Sequence, residues 1–337
     1  MMRKTAYIYL PMLSLLLAGC MAEVIDTSPQ AGEPDITVGT APISLMTEVD
    51  GQQEEGDSLR AGTRTTNTAL QSTQFASGET IYVYFPTNVT VGTTTSASYT
   101  TYTTDGSGKT TPATQPYMNP NIQSATIHAY YPSTHSQNTS SFSVQADQTS
   151  DANYKASDLM YATTSVTKTA AATVTGSLTF SHRMAKIIVT ATADTGKGVS
   201  AVTKVRIIGG YRTATIATPL SCTMKTDDGF SNQLSTSSAI TLYDNSTGAA
   251  SVSCAGLIPP QTIASGTAFL EVTVKTAGGL TGTATYSLPA AKIFASGNAY
   301  TCTLSINLSS IGTTTDITNW GNGGSTSLNN NGTPTLQ

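Results

Sequence analysis

Charge is scarce in this chain. Asp, Glu, Lys and Arg make up 11% of its 337 residues, against roughly 25% in a typical soluble protein. The net charge is −4 with no long block of one sign, so there is no case for nucleic-acid binding, which needs a basic patch or stripe. Tryptophan occurs once and histidine three times, as His128, His135 and His182, with no two at a metal-ligand spacing. HExxH, GxSxG and CxxC are all absent. Asp147, Asp151, Asp227 and Asp228 lack the alternation of a calcium loop. The sequence therefore offers no catalytic residue, no metal site and no cofactor, and the chain is read as a non-enzyme. Gly106-Ser107-Gly108-Lys109-Thr110 resembles the end of a phosphate-binding loop. The full pattern needs a glycine where Thr103 stands, so this is read as a glycine turn.

Cysteine is also scarce. Beyond Cys20 there are only Cys222, Cys254 and Cys302. An odd number at wide spacing fits neither a zinc pattern nor a disulfide scaffold. They read as small buried strand residues, with one bridge among them left open. After the first twenty residues no apolar run approaches the roughly 20 residues of a membrane helix, so the body of the protein is read as lying outside the membrane.

Threonine, serine, alanine and glycine fill the space that charge leaves. Threonine is β-branched and polar, which suits the wet face of a strand and not a helix surface. From residue 75 onward, short strands alternate with turns. Ile81 to Phe85 stops at Pro86, and Ala125 to Tyr131 stops at Pro132. Asp158 to Ala162, Ser177 to Phe180, Ala185 to Ala193, Ala201 to Ile208 and Ala239 to Tyr243 follow. Phe269 to Thr276, Thr283 to Leu288 and Tyr300 to Leu308 complete the series. Leu270, Val272 and Val274 share a face opposite Glu271, Thr273 and Lys275, and Cys302, Leu304, Ile306 and Leu308 share another. Asp105-Gly106, Asp228-Gly229 and Gly278-Gly279 are turn chemistry. No segment sustains a 3.6-residue period. Many short strands with one wet face predict an all-β protein built of β-sandwiches, and the chain is long enough for two. The Thr/Ser-rich stretches 87–116 and 133–153 read as long surface loops or insertions on the first sandwich.

The first twenty residues differ. Arg3 and Lys4 precede an apolar run from Ala6 to Leu17, closed by Leu17-Ala18-Gly19-Cys20. This is the make-up of a secretory signal, and the cysteine at the junction makes it resemble a bacterial lipoprotein signal. Residues 1–19 would then be removed and Cys20 acylated. Each buried methylene contributes about 0.8 kcal/mol, so two or three acyl chains hold a protein firmly on a membrane. Residues 20–64 form a separate region with Pro29, Pro34, Pro42 and an acidic piece from Glu48 to Asp57. Inside it one strand is legible, with Ile43, Leu45 and Val49 on one face. Arg60-Ala61 and Arg64-Thr65 sit in a polar, Gly-containing piece of the kind a protease cuts most easily. Two solvated linker arginines are the alternative.

These pieces, in order, make the chain resemble a fimbrillin, the subunit of the type V pili of Gram-negative anaerobes. They are Cys20, then Pro42-Ile43-Ser44-Leu45, then Thr63-Arg64-Thr65-Thr66 with Phe75-Ala76-Ser77-Gly78-Glu79-Thr80-Ile81. Asp158-Leu159-Met160-Tyr161-Ala162 and Leu178 to Ile187, which contains His182, come next. Tyr300 to Leu304 and Ile317-Thr318-Asn319-Trp320 close the series. The resemblance implies two tandem transthyretin-like β-sandwich domains, at 65–183 and 184–337, after the signal and a 20–64 propeptide. It implies a precursor carried to the outer membrane by its lipid and cut by a trypsin-like, arginine-specific protease, here after Arg64 or Arg60. The cut removes a leader strand, here holding Ile43, Leu45 and Val49. A strand from another pilin subunit then fills the groove in the first sandwich. His182 is expected to be structural.

One feature departs from a shaft subunit. After Trp320 the tail runs Gly-Asn-Gly-Gly-Ser-Thr-Ser-Leu-Asn-Asn-Asn-Gly-Thr-Pro-Thr-Leu-Gln, with Leu328 and Leu336 its only large apolar residues. A donated strand needs alternating apolar residues, and Thr313 to Trp320 supplies them weakly. The expectation is a tip or accessory subunit with an adhesive role at the cell surface. The alternatives are a monomeric surface lipoprotein that binds a glycan or host ligand, and a pilus anchor.

Overall fold

The computed structural model describes residues 41–49, 75–135, 140–169, 173–218, 223–224, 239–312, 314–316 and 320–323. Among them the chain is all-β apart from the helix α1 (Asp151–Ala156) and two 3-10 turns, Thr195–Lys197 and Leu308–Ser310. The first ten strands are β1 (Ala41–Val49), β2 (Thr80–Phe85), β3 (Val89–Val91), β4 (Ser98–Thr104) and β5 (Thr110–Pro112), then β6 (Pro116–Met118), β7 (Ser124–Tyr131), β8 (Ser141–Ser143), β9 (Met160–Thr167) and β10 (Val174–His182). Nine of them form one sheet in the order β3-β6-β1-β10-β9-β7-β2-β4-β5. The sheet curls, because Lys109, beside β5 at one end, makes an antiparallel bridge to Met46 of β1, the third strand from the other end. Its inner face gathers Ile43 and Leu45 with Ile81, Val83, Phe85, Ile127, Leu178 and Phe180.

The structure corrects the reading of 87–116 as loop. This stretch holds β3, β4 and β5, and β4 pairs with β2 from Thr80↔Thr103 to Phe85↔Ser98. The inward residues of β4 are Thr100, Tyr102 and Thr104, all buried, so two of its three core positions are threonines and no apolar alternation shows. Their hydroxyls are satisfied locally. Thr104 Oγ1 donates to the Ala76 carbonyl at 2.6 Å, and Thr100 Oγ1 accepts from the Thr114 amide at 3.1 Å.

The later strands are β11 (Ala185–Ala193), β12 (Val199–Ile207), β13 (Thr213–Thr218), β14 (Thr223–Met224), β15 (Ile240–Ala249), β16 (Ser251–Ile258) and β17 (Gln261–Ile263). After them come β18 (Ala268–Thr276), β19 (Thr281–Ser287), β20 (Lys292–Phe294), β21 (Ala299–Ile306), β22 (Thr314–Asp316) and β23 (Trp320–Gly323). A four-stranded sheet runs β16-β11-β21-β23 and a five-stranded sheet β15-β12-β18-β19-β22. Ile187, Val189 and Leu304 of the first share one apolar cluster with Val202, Val205, Val272 and Val274 of the second. In the four-stranded sheet Val189 lies opposite both Cys254 and Cys302. One strand therefore stands between the two cysteines, a separation of about 9–10 Å, beyond the reach of a disulfide. Both are free and buried. Burial pushes the Cys254 thiol up to about 12 and raises that of Cys302. Cys222 lies outside the described residues.

Residues 133–153 also depart from the loop reading. Within them β8 pairs antiparallel with β13, Phe142 opposite Ala214. Beyond it the amides of Val144 and Gln148 donate to the carbonyls of Arg212 and Thr241. The Gln148 side chain is fully buried. Its Oε1 accepts from the Leu257 amide at 2.7 Å, and its Nε2 donates to the Leu257 carbonyl at 2.9 Å. This strap ties residues 141–148 to the later strands, and Phe142, Val144, Tyr154 and Leu159 belong to the later cluster. Its helix α1 is capped by Ser150, whose Oγ accepts from the Asn153 amide at 3.3 Å, and is too short to show a helical period.

Candidate functional site

β1 is the feature that stands apart. It lies inside the nine-stranded sheet although residues 50–74, outside the described residues, separate it in sequence from its neighbours. Ala41, Ile43, Leu45, Thr47 and Val49 are buried, and Ser44, Met46 and Glu48 are exposed. The structure thus puts Ile43, Leu45 and Val49 together on the inner face and adds Ala41 and Thr47. Pro42 is the second residue of the strand, close enough to its start for a missing ladder donor to be tolerated.

The two edges of β1 are held differently. On one edge β10 runs parallel to it, in register from Ile43↔Val174 to Val49↔Phe180. On the other, β6 pairs only with Ala41 and Pro42. Side chains and a turn supply the rest. Gln115 Nε2 donates to the Ile43 carbonyl at 3.0 Å and Thr110 Oγ1 to the Leu45 carbonyl at 2.6 Å. The Thr47 amide donates to the Gly108 carbonyl at 2.7 Å. Outside the groove, Thr179 Oγ1 donates to Glu48 Oε1 at 2.6 Å.

The turn that reaches Thr47 is the Gly106–Thr110 stretch. Asp105 Oδ1 accepts from the amides of Ser107 and Lys109 at 2.7 and 3.1 Å. These hydrogen bonds, led by that of the Ser107 amide, hold its carboxyl below the usual carboxylate range. Gly106 and Gly108 have φ of +85° and +94°, values that favour glycine. A Cβ on Gly108 would stand 2.9 Å from the Thr47 carbonyl oxygen. The glycine turn is therefore a turn, as its sequence says, and also a clasp on β1.

The floor of the groove has a gap. Leu45 lies opposite Gly176 of β10. A Cβ built on Gly176 would meet Val166 Cγ1 at 2.6 Å and Leu45 Cδ2 at 3.1 Å. The Leu45 side chain and Val166 share the room that the glycine leaves. Sequence reasoning missed Gly176, Gln115 and Thr110, since none belongs to an apolar pattern. An isolated glycine inside a strand is the one available signal, marking a close approach.

The other singled-out residues take structural places. His182 Nδ1 and Asp158 Oδ1 are 2.7 Å apart and both side chains are buried. His128 Nδ1 lies 2.6 Å from the Tyr161 hydroxyl. His135 packs against Tyr130 and Phe142. Among the described residues no three His, Cys, Asp or Glu side chains gather as a metal site would require. Cys20, Arg60, Ala61, Arg64 and Thr65 lie outside the described residues, as does the tail after residue 323. Of the weak donor stretch, Thr314–Asp316 pairs with β19 and Trp320 with β21.

The profile of the fimbrillin-like family matches residues 63–320. The chain belongs to the fimbrillin-like family. The match starts after β1, so the strand that fills the groove of this fimbrillin-like protein lies outside the matched region. No curated protein matches it. Among solved structures, a candidate cell adhesion protein from Bacteroides fragilis aligns with a TM-score of 0.51 at 14% identity, over 85% of this chain and 98% of its own. One from Bacteroides uniformis aligns at 0.50 and 17%, over 84% and 97%. One from Bacteroides ovatus aligns at 0.50 and 16%, over 80% and 94%. At these identities the likeness is one of fold.

Proposed function

We propose that this fimbrillin-like protein is a structural subunit of a cell-surface fimbrium, exported as a lipoprotein on Cys20 and assembled by strand exchange. A trypsin-like protease cuts after Arg64, or after Arg60, leaving Thr65 or Ala61 as the new N-terminus and freeing β1. A strand of another pilin subunit takes its place. The tail, poor in alternating apolar residues, makes a tip or accessory role with adhesive function the better fit. The chain is divided into two tandem sandwiches near residue 184; one apolar cluster lies wholly before that point, while the other also takes in Tyr82, Tyr130, Phe142, Val144, Tyr154, Leu159 and Tyr161.

The observation that carries this reading is the position of β1. A strand inside a sheet, third of nine in its order, paired in full on one edge only and contributed by a remote segment, can leave without unthreading anything else. Its departure would expose the β10 ladder groups and an apolar floor, and an added strand pairs with the first and covers the second together. Recovery of the protein from the cell surface tests the reading. A chain that starts at Ala61 or Thr65 and has lost its lipid is expected. An intact, acylated Cys20 on all of the protein would overturn assembly by this route.

One observation favours the second reading, a surface lipoprotein that binds a glycan or host ligand. Tyr99 is 56% exposed and stacks on Tyr82 at 4.7 Å between centroids, on the outer face of the nine-stranded sheet. An exposed aromatic ring offers an apolar face on which a sugar ring can stack.

A further inference from the structure

We infer that the β1 groove is keyed at one position. The space above Gly176 takes a leucine-sized side chain at the third buried residue of whatever strand fills the groove, and so sets that strand's register. The inference rests on the strand-exchange reading and adds which strand can enter.

The argument starts from the strand that is there. Five side chains of β1 point inward, and they are not equivalent. Ile43, Thr47 and Val49 lie opposite Val174, Leu178 and Phe180, residues that occupy the floor with side chains of their own. Leu45 alone lies opposite a glycine. A slip by two residues keeps the apolar face inward, so alternation alone does not forbid it. It would put Ile43 or Thr47 over Gly176. Neither has a branched δ end to reach where Leu45 Cδ2 now stands, and the leucine would be driven onto Val174 or Leu178. The outer edge counts in the same frame. Gln115 and Thr110 donate to the carbonyls of residues 43 and 45, and Gly108 accepts from the amide of residue 47. These bonds read backbone, so they hold any strand at the right register without choosing its side chains. The choice falls to the Gly176 space.

The occupant is therefore an extended segment of another polypeptide, parallel to β10, apolar at alternate positions, with leucine or methionine third. The tail of this chain does not offer that pattern, its two leucines standing far apart in a polar run.

Two measurements test the inference, one independent of cleavage. In the uncut full chain, Gly176→Ala is made in three backgrounds: unaltered, Leu45→Ala and Ile43→Ala. The added methyl meets Val166 Cγ1 at 2.6 Å before Leu45 Cδ2 at 3.1 Å, so all three chains also carry Val166→Ala, which clears the nearer clash; the loss in thermal midpoint should then shrink with Leu45→Ala and stay unchanged with Ile43→Ala. Equal losses in all three backgrounds would overturn the inference. In the second measurement the full chain is cut with trypsin and titrated with labelled nine-residue peptides of the Ala41–Val49 sequence. A Leu45→Ala peptide should bind about thirtyfold more weakly, as for an emptied leucine pocket, with Leu45→Met within about threefold. Equal losses for Leu45→Ala and Ile43→Ala would again overturn it. If Gly176 and Leu45 couple in the uncut chain but the cut chain takes up no peptide, the key stands and the exchange reading falls.

Discussion

His135 sits 5.6 Å from Tyr130 and 5.9 Å from Phe142, ring to ring, and its buried Nε2 has no hydrogen-bond partner. Burial pulls its pKa down to about 4, whereas in the unfolded chain it protonates near about 6.5. Between those values the unfolded chain binds more protons, so stability rises with pH across the window. It is fully present above about 6.5 and drains away toward about 4. Urea midpoints at pH 7 and pH 5 should therefore differ, with pH 5 lower, and His135→Phe should narrow the gap while keeping the ring contacts. His128, also lowered by burial, acts in the same direction and leaves part of the slope. Gln148 is a different case, since its value lies in what it satisfies. Gln148→Ala would strip partners from both the amide and the carbonyl of buried Leu257. At about 1–3 kcal/mol per buried group left unpaired, a loss of about 3 kcal/mol is expected in chemical denaturation. A loss under about 0.5 kcal/mol, the range of ordinary surface changes, would mean water replaces the amide.

At the scale of elements, the proposed exchange makes β1 a tethered ligand of its groove. Ile43, Leu45 and Val49 are almost wholly buried, each favouring the bound strand by about 1.5–3 kcal/mol. While the segment between β1 and β2 is intact, the strand meets its groove at the high effective concentration of a linked partner. Once the segment is cut, dilution competes with binding. The thermal midpoint of the trypsin-cut chain should then rise with protein concentration, while that of the uncut chain stays flat. Equal midpoints for the cut chain across a dilution series would show that β1 does not leave on its own.

Across the whole molecule, the sequence is legible where core positions are apolar and obscure where they are not. Ala185–Ala193 reads directly as β11 because Ala185, Ile187, Val189, Ala191 and Ala193 alternate in a half-buried sheet. β4 hides because threonines fill inward positions. β16 hides for the opposite reason, since Cys254 to Ile258 are buried on both faces and leave no wet side to alternate with. The strap was unreadable because its partners are Arg212, Thr241 and Leu257, far along the chain. The groove was half legible. Its occupant showed in Ile43, Leu45 and Val49, while its key, Gly176, is a missing side chain that no apolar pattern records.

The strap also governs how this molecule carries tension. Between β10 and β11 the covalent link is only Arg183 and Met184. Were it alone, a pull at the two ends would bend the chain at that point like a hinge on a single pin. Residues 141–148 add a second, hydrogen-bonded connection alongside the first, with Phe142 and Val144 seated in the later core. The two are loaded together, so several bonds must fail at once before the earlier and later strands can swing apart. A protein exposed to flow at a cell surface gains stiffness from that doubled joint without a disulfide.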